Sequence, residues 1–283
     1  MTRISVITAT WNLIEAGRGE TVRQAINSVA GQTHDDVEHI IQDGASGDGT
    51  PALLADILSE HPNAQLHSEP DKGIYHGMNA GAARATGDYL LFLNSDDFYH
   101  DPAGLAALAR AADKAGRPDV LLAPVRMLYD GGKVGQRATR PALMKSLRHM
   151  SVDHPGMAVR REVFENLGGF DTRFRLGADY HMLLRLVLMG ARFAHAPRPF
   201  ASFRAGGVSA DLAANAADRL AIWCDLYAQF ATPDPVAWQA AMDRKTAPQD
   251  VLKSIVERSD SALARACARK TLRRDAIRSI FGK

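Results

Sequence analysis

Residues 88–97 read Asp88-Tyr89-Leu90-Leu91-Phe92-Leu93-Asn94-Ser95-Asp96-Asp97, a nearly continuous apolar run that stops on polar and acidic residues. Central strands of a parallel sheet are covered on both faces and carry such runs without polar alternation. Towards the N-terminus, Ile4-Ser5-Val6-Ile7 and Val37 to Gln42 read as further strands, and Ala64 to Ser68 as a short one. Helical patterns separate them. Val22, Ala25, Ile26 and Val29 fit the i, i+3, i+4, i+7 stripe of a helix from about Thr21. Leu53, Leu54, Ile57 and Leu58 mark a second, opened by Thr50 as N-cap and Pro51 at the first helical position. Gly77 to Thr86 is a third. This βαβαβ alternation predicts an α/β fold, doubly wound around a mostly parallel central sheet, with ligands beyond the carboxyl ends of the strands.

Downstream, the pattern predicts a helix near 102–115, a strand from Val120 to Val125, and a β-ribbon around the Tyr129-Asp130-Gly131-Gly132 turn. After Gly177 a helix begins, with Met182, Leu186 and Met189 on one face. Past Ser209 the chain turns Ala-rich and helical, with Leu212, Leu220, Trp223, Tyr227 and Phe230 expected to be buried. A boundary near 210 would separate a domain over 1–210 from a helical C-terminal extension over 211–283. Thr232-Pro233-Asp234-Pro235 reads as a turn or linker.

The chain has 283 residues, 46% hydrophobic and 23% charged, which fits a globular protein with at least one full core. No apolar run is long enough for a membrane span. The opening MTRISVITATWN lacks the pattern of a secretory signal, so a cytoplasmic location is expected. Cys224 and Cys267 are the only cysteines and show no C-x-x-C spacing, so any metal must take oxygen or imidazole ligands. A net charge of +2 argues against nucleic acid as a partner. The charge is uneven: residues 259–283 hold seven Lys/Arg against Asp260 and Asp275, an excess of +5.

Polar residues gather where three predicted strands end: Thr8 to Asn12, Gln42 to Gly49, and Asn94 to Asp97. The glycines of 44–49 have the spacing G-x-x-G-x-G after the second strand, a poor match to a dinucleotide loop; they read as a βα turn with positive-φ glycines. Asp43 at a strand tip can accept the imide N–H of uracil or thymine, and Trp11 offers a flat face for a base, although an isolated Trp is more often core. Asp96 and Asp97 suit a hard divalent cation, Mg²⁺ or Mn²⁺, shared with a diphosphate; the competing role is an Asx-rich turn or helix cap. Asp179 is either a helix N-cap or a general base. His154 is either a polar pocket residue or a satisfied loop histidine.

Taken together, SVITATWN, QDGASGDGT, SEPDKGIYHGMNAGAARATGDYLLFLNSDDFY, HPGMAVRREVFENLGGFDTRFRLGADYHMLLRL and FRAGGVS resemble the family 2 glycosyltransferases of the GT-A fold, particularly bacterial cell-surface polysaccharide enzymes, over about residues 2–209. The resemblance implies an inverting transfer of sugar from a nucleotide diphosphate donor, a UDP-sugar favoured, to the hydroxyl of a saccharide or lipid-linked acceptor, with a divalent metal. It implies that Thr10, Trp11 and Asn12 form the first nucleotide-contacting loop and that Asp43 contacts the base. Asp71 and Lys72 fall in the donor-side loop. Asn94 and Ser95 open the D-x-D region, Asp96 and Asp97 bind the metal, and Asp179 is the catalytic base. Two positions depart from the family pattern: Asn94 stands at the first D-x-D position, and Ala178 where many relatives have Glu.

A sugar-nucleotide pyrophosphorylase would need a Gly-rich, Arg/Lys-bearing loop directly after the first strand, which is absent here. A non-catalytic reading, a degenerate transferase domain that binds a nucleotide or serves as a scaffold, is permitted by Asn94, while the retained Asp96 and Asp179 argue against it. In the tail, Lys270, Arg274 and Arg278 share one helical face and Leu272, Ala276 and Ile280 another. That pattern suits either a peripheral contact of 259–283 with the inner face of the cell membrane or a solvated face on a packing or homodimer helix.

Overall fold

A computed structural model describes residues 2–136, 138–205 and 211–281. Its strands are β1 (Ile4–Thr10), β2 (Val37–Asp43), β3 (Ala64–Ser68), β4 (Tyr89–Phe92), β5 (Phe98–Tyr99), β6 (Val120–Leu122), β7 (Val125–Leu128), β8 (Val134–Gln136), β9 (Met157–Arg160), β10 (Phe193–His195) and β11 (Ala201–Arg204). Its helices are α1 (Gly19–Ala30), α2 (Thr50–Leu58), α3 (Ile74–Arg84), α4 (Gly104–Lys114), α5 (Thr139–Leu143), α6 (Arg161–Asn166), α7 (Ala178–Leu188), α8 (Leu212–Tyr227), α9 (Pro235–Asp243), α10 (Gln249–Arg258) and α11 (Ala262–Phe281).

The chain forms two compact units: Met1–Thr139 with Asp153–Arg175 and Arg192–Gly207, and Arg140–Val152 with Leu176–Ala191 and Val208–Lys283. This differs from a single cut near 210, a position outside the described residues. The physical reason is α7, which is buried at Ala178 and from Tyr180 to Leu184, around its whole circumference. Such a helix needs cover on several sides, and α8 and α11 supply part of it.

In the first unit, a seven-stranded sheet runs β3-β2-β1-β4-β9-β6-β10. Neighbours are parallel except β9, which is antiparallel to β4 and β6. A four-stranded sheet runs β5-β11-β7-β8. The strand expected over Val120 to Val125 is divided between the two sheets, because Pro124 has no N–H with which to continue a ladder. The ribbon about Tyr129 to Gly132 forms as expected from antiparallel β7 and β8. β4 is buried along its length, as its unbroken apolar sequence requires. α1 serves two apolar clusters, giving Ala25 and Val29 to one and Val22 and Ile26 to the other.

At the amino end of β4, buried Glu38 accepts from Ser5 Oγ (2.5 Å), Thr86 N (2.6 Å) and Gly87 N (3.1 Å), and pairs with Arg3. Burial raises its carboxyl, but the bonds from Ser5 and Thr86 outweigh it and hold the group below its usual range.

In the second unit, Trp223 donates to Tyr180 Oη (2.9 Å) and Tyr227 to the Leu147 carbonyl (2.5 Å), satisfying the polar ends of buried aromatics. Leu220 and Phe230 are half-buried, while Leu212 is exposed because it opens α8 ahead of the packed stripe. Met189, one residue past α7, is also exposed. Among the described residues, no helix is long and apolar enough to cross a membrane.

Candidate functional site

β2, β1 and β4 are successive neighbours in the large sheet, and the loops after β1 and β2 are stitched together. Register pairs Thr10 with Asp43, and Thr10 Oγ1 donates to Asp43 Oδ1 at 3.2 Å. Asp43 is fully buried and also accepts from Ser46 N (2.9 Å), Ser46 Oγ (2.6 Å) and Ser68 Oγ (2.7 Å). A carboxylate has about four acceptor positions, so Asp43 is saturated from within the chain. It is not the open strand-tip acceptor read from the sequence; it locks the loop after β2 to β1 and β3.

Asn12 sits at φ 44°, a left-handed conformation that Asn tolerates. Its N–H donates to Ser46 Oγ (2.8 Å), its Oδ1 accepts from Gly47 N (3.2 Å) and its Nδ2 donates to Glu15 (3.0 Å). Thr50 Oγ1 accepts from Leu13 N (2.8 Å) and donates to Asp48 (2.6 Å), whose other oxygen accepts from Glu15 N (2.9 Å). Thr50 is therefore not the N-cap of α2. Gly49 holds that position at φ 86°, and Thr50 ties the two loops together. Of Gly44, Gly47 and Gly49, only Gly49 has positive φ; Ala45 takes the other left-handed position. Trp11 stands 67% exposed beside this clasp, available to a flat ligand.

Gly44 and Gly77 have a different purpose. A Cβ on either would lie 2.9 Å from Asp71 Oδ2, so the missing side chains leave room for that carboxylate. Its Oδ1 accepts from Gly73 N at 2.8 Å, ahead of α3. Lys72 next to it is exposed.

After β4 the two adjacent acids meet different surroundings. Asp97 is fully buried, accepting from Arg204 N (3.0 Å) and Asn94 Nδ2 (3.4 Å). Burial, reinforced by the charge of Asp96, pushes its carboxyl up to about 8 against those bonds. It is thus an inward, mostly protonated group at neutral pH rather than the second open metal ligand expected. Asp96 is the outward one: its side chain is 20% exposed, with Oδ2 3.4 Å from Arg18 Nη2. The Arg204 guanidinium donates to the Asp96 carbonyl and to Gln24 (2.5 Å) and lies over the Phe98 ring. Arg204 and Arg18 were not recognised in the sequence. Arg204 lies in the FRAGGVS block, which was a usable signal; Gly206 to Ser209 of that block lie outside the described residues. Arg18 belongs to no motif.

Ser95 is buried, and Asn94 Oδ1 is buried with no hydrogen-bond partner. An orphaned buried acceptor is costly. Asn94 Oδ1 and the Asp96 carboxylate are both hard oxygen donors, and in chemistry these residues fit Mg²⁺ or Mn²⁺.

All of these residues belong to the first unit; Asp179 belongs to the second. It lies in the first turn of α7, half-buried, with Oδ1 accepting from Tyr180 N at 2.7 Å. It is not the N-cap. The N–H groups of Leu176 and Gly177 are taken by Asp218 of α8, at 2.7 and 3.0 Å, a role that sequence reading missed. His154 packs in an aromatic group, tilted against Phe92 at 5.7 Å and edge-on to Phe170 at 5.8 Å between ring centres.

Residues 5–168 match the model of the family described as Glycosyl transferase family 2. The chain is 32% identical over 195 residues to an uncharacterized glycosyltransferase of Mycobacterium tuberculosis H37Rv, spanning 66% of this chain and 69% of that protein. It is 30% identical over 162 residues to a PGL/p-HBAD biosynthesis glycosyltransferase of Mycobacterium bovis BCG, spanning 56% and 62%. Among solved structures, Staphylococcus aureus TarS 1–349 in complex with UDP-GlcNAc aligns with a TM-score of 0.66 at 17% identity, over 91% of this chain and 73% of that one. The mannosyltransferase PcManGT of Pyrobaculum calidifontis, in complex with GDP-Man and Mn²⁺, aligns with a TM-score of 0.57 at 20% identity, over 99% and 81%. At these identities the likeness is one of fold, and the fold is the doubly wound GT-A type expected.

Proposed function

The chain belongs to glycosyl transferase family 2, and from that premise we propose that it moves a sugar from a nucleotide diphosphate donor to an acceptor hydroxyl with inversion at the anomeric carbon. The donor is a UDP-sugar and the product a cell-surface polysaccharide or glycolipid. The observation that carries this reading is the division of labour after β4: Asp97 turns inward, leaving Asp96 outward against Arg18, while Asn94 Oδ1 is left without a hydrogen-bond partner. The UDP-GlcNAc bound to TarS supports the choice of donor, and the name of the PGL/p-HBAD relative supports a glycolipid product.

Each residue has a role in this reading. Trp11 stacks on the base, held by the loop that Asp43, Asn12 and Thr10 fix. Asp71 and Lys72 contact the donor. Asp96 and Asn94 hold Mg²⁺ or Mn²⁺, which when bound supplies positive charge against the charge growing on the leaving diphosphate. Asp179 takes the proton of the acceptor hydroxyl as its oxygen attacks the face opposite the diphosphate. A single displacement inverts the centre and needs no protein nucleophile.

Two measurements test this. Thermal shifts with UDP, GDP, ADP and CDP, each with Mn²⁺, should show the largest rise with UDP, since a ligand of the native state stabilises it in proportion to the logarithm of its concentration over its Kd. Asp179→Asn should lower turnover by about 10²- to 10⁴-fold, the usual value of a general base, with UDP binding retained. Unchanged turnover removes Asp179 as the base, and the absence of any nucleotide-dependent shift overturns the donor assignment.

A further inference from the structure

The structure changes the picture of the basic C-terminal helix. α11 packs inward through Ala264, Cys267, Ala268 and Thr271, all buried. Arg274, expected on an outward basic face, instead pairs with Asp275 and donates to the Lys245 carbonyl (2.9 Å). Leu272 is half-buried.

Arg269, Lys270 and Arg273 face outward, followed by Ile277 and Ile280, which are 57% and 75% exposed; Arg278 is exposed as well, on another side of the helix. At 3.6 residues per turn the first five fall within about 120° of the helix circumference, opposite the packed stripe. Among the described residues, no carboxylate forms an ion pair with any of the three cations. Arg269, Lys270 and Arg273 surround a surface depression floored by the small side chain of Ala266.

We propose that this face of α11 docks on an anionic lipid bilayer, with a lipid phosphate in the depression among Arg269, Lys270 and Arg273 and the isoleucines entering the headgroup layer. Charge complementarity carries the choice of partner. Three cations line one notch and, among the described residues, form no ion pair with a carboxylate; clustered Lys/Arg beside exposed aliphatics is the chemistry that recognises acidic headgroups. The isoleucines extend the same face, where a bilayer surface gives cations and apolar groups their partners at one depth. This inference rests on the helix alone and stands independently of the roles assigned to the acids.

Co-sedimentation of the full chain with vesicles tests it. Binding is expected to phosphatidylcholine vesicles carrying roughly one-third phosphatidylglycerol, to fall with added salt, and to be absent on phosphatidylcholine alone. Arg269→Gln/Lys270→Gln/Arg273→Gln should weaken partitioning by about a hundredfold, given about fivefold per basic residue near such a surface. Ile277→Ser/Ile280→Ser should weaken it several-fold, with the salt dependence kept. Both variants alter exposed side chains; an unchanged thermal midpoint separates lost binding from lost folding, and turnover on a water-soluble acceptor should stay at the parent level. Equal partitioning by the parent and the triple variant overturns the proposal. So does a parent that ignores the acidic vesicles while binding inorganic phosphate, or while forming a dimer that the isoleucine variant disperses.

Discussion

Asp96 and Asp97 are joined by one peptide bond, yet one side chain pairs with a cation near the surface and the other is sealed beneath Arg204. Arg204 accounts for the difference. Its backbone N–H takes Asp97 inward while its guanidinium holds the Asp96 carbonyl, so the intervening peptide is fixed and the two carboxylates part. Arg18 then stands at 3.4 Å from Asp96 as a stand-in positive charge. At an effective dielectric near 20, a unit charge about 5 Å from a divalent ion opposes it by several kcal/mol, and solvent screening at a third-exposed side chain reduces this to about 1 kcal/mol. Arg18→Gln should therefore tighten Mn²⁺ binding by the nucleotide-free protein about fivefold, read by electron paramagnetic resonance titration of free Mn²⁺. An unchanged affinity would separate Arg18 from the cation and put the role of Asp96 in doubt.

At the scale of elements, α3 shows how a helix positions a proposed site residue it does not contain. It begins at Ile74, three residues before the start that its sequence pattern indicated, because the turn from Asp71 Oδ1 to Gly73 N directs the chain into it. Gly77 then leaves room for the Asp71 carboxylate. In Gly77→Ala the new Cβ would meet Asp71 Oδ2 at 2.9 Å and Ala9 Cβ at 3.2 Å. The carboxylate is the movable partner, and Ala is favoured over Gly in a helix by up to about 1 kcal/mol, so the fold should survive while Asp71 is displaced. UDP affinity by calorimetry should fall about tenfold with the thermal midpoint nearly unchanged; parent-like affinity would remove Asp71 from the donor site. The strand β4 was legible because a strand covered on both faces has no polar alternation to confuse it; β1, β2 and the half-exposed edge strand β3 were read from their short β-rich runs between helical patterns. Pro124 was visible, but its effect depends on which ladder each flanking strand joins, which is not local information. The same holds for Asp43: its position at a strand tip could be read, but its saturation by Ser46 and Ser68 depends on the close approach of a loop and a third strand.

For the whole molecule, the large sheet links stability to acid through a residue outside the site. His39 in β2 is buried, with Nε2 3.0 Å from Thr8 Oγ1, and burial, followed by the charge of His61, pushes it down to about 3. The unfolded chain takes up the same proton near the ordinary value of about 6.5. Between those two values the unfolded state binds more protons, so stability falls as pH falls, with His39 contributing up to about 1.4 kcal/mol per pH unit. His100, pushed down by burial and by Arg126, acts in the same direction. Glu38, held below its usual range, adds its loss only below about pH 4.5, where the unfolded chain takes up the proton while the folded carboxylate, held by the bonds from Ser5 and Thr86, does not. Urea unfolding from about pH 7 to pH 4 should therefore show a steep acid limb for the parent chain. His39→Gln keeps a partner for Thr8 but cannot titrate, so its limb should flatten by roughly 1 kcal/mol per pH unit between about pH 6 and pH 4, whatever it costs at neutrality. Parallel limbs for parent and variant would show that the imidazole reaches solvent and takes its proton in the folded state, and that the centre of the sheet is more open than the buried contacts of β1 and β2 require.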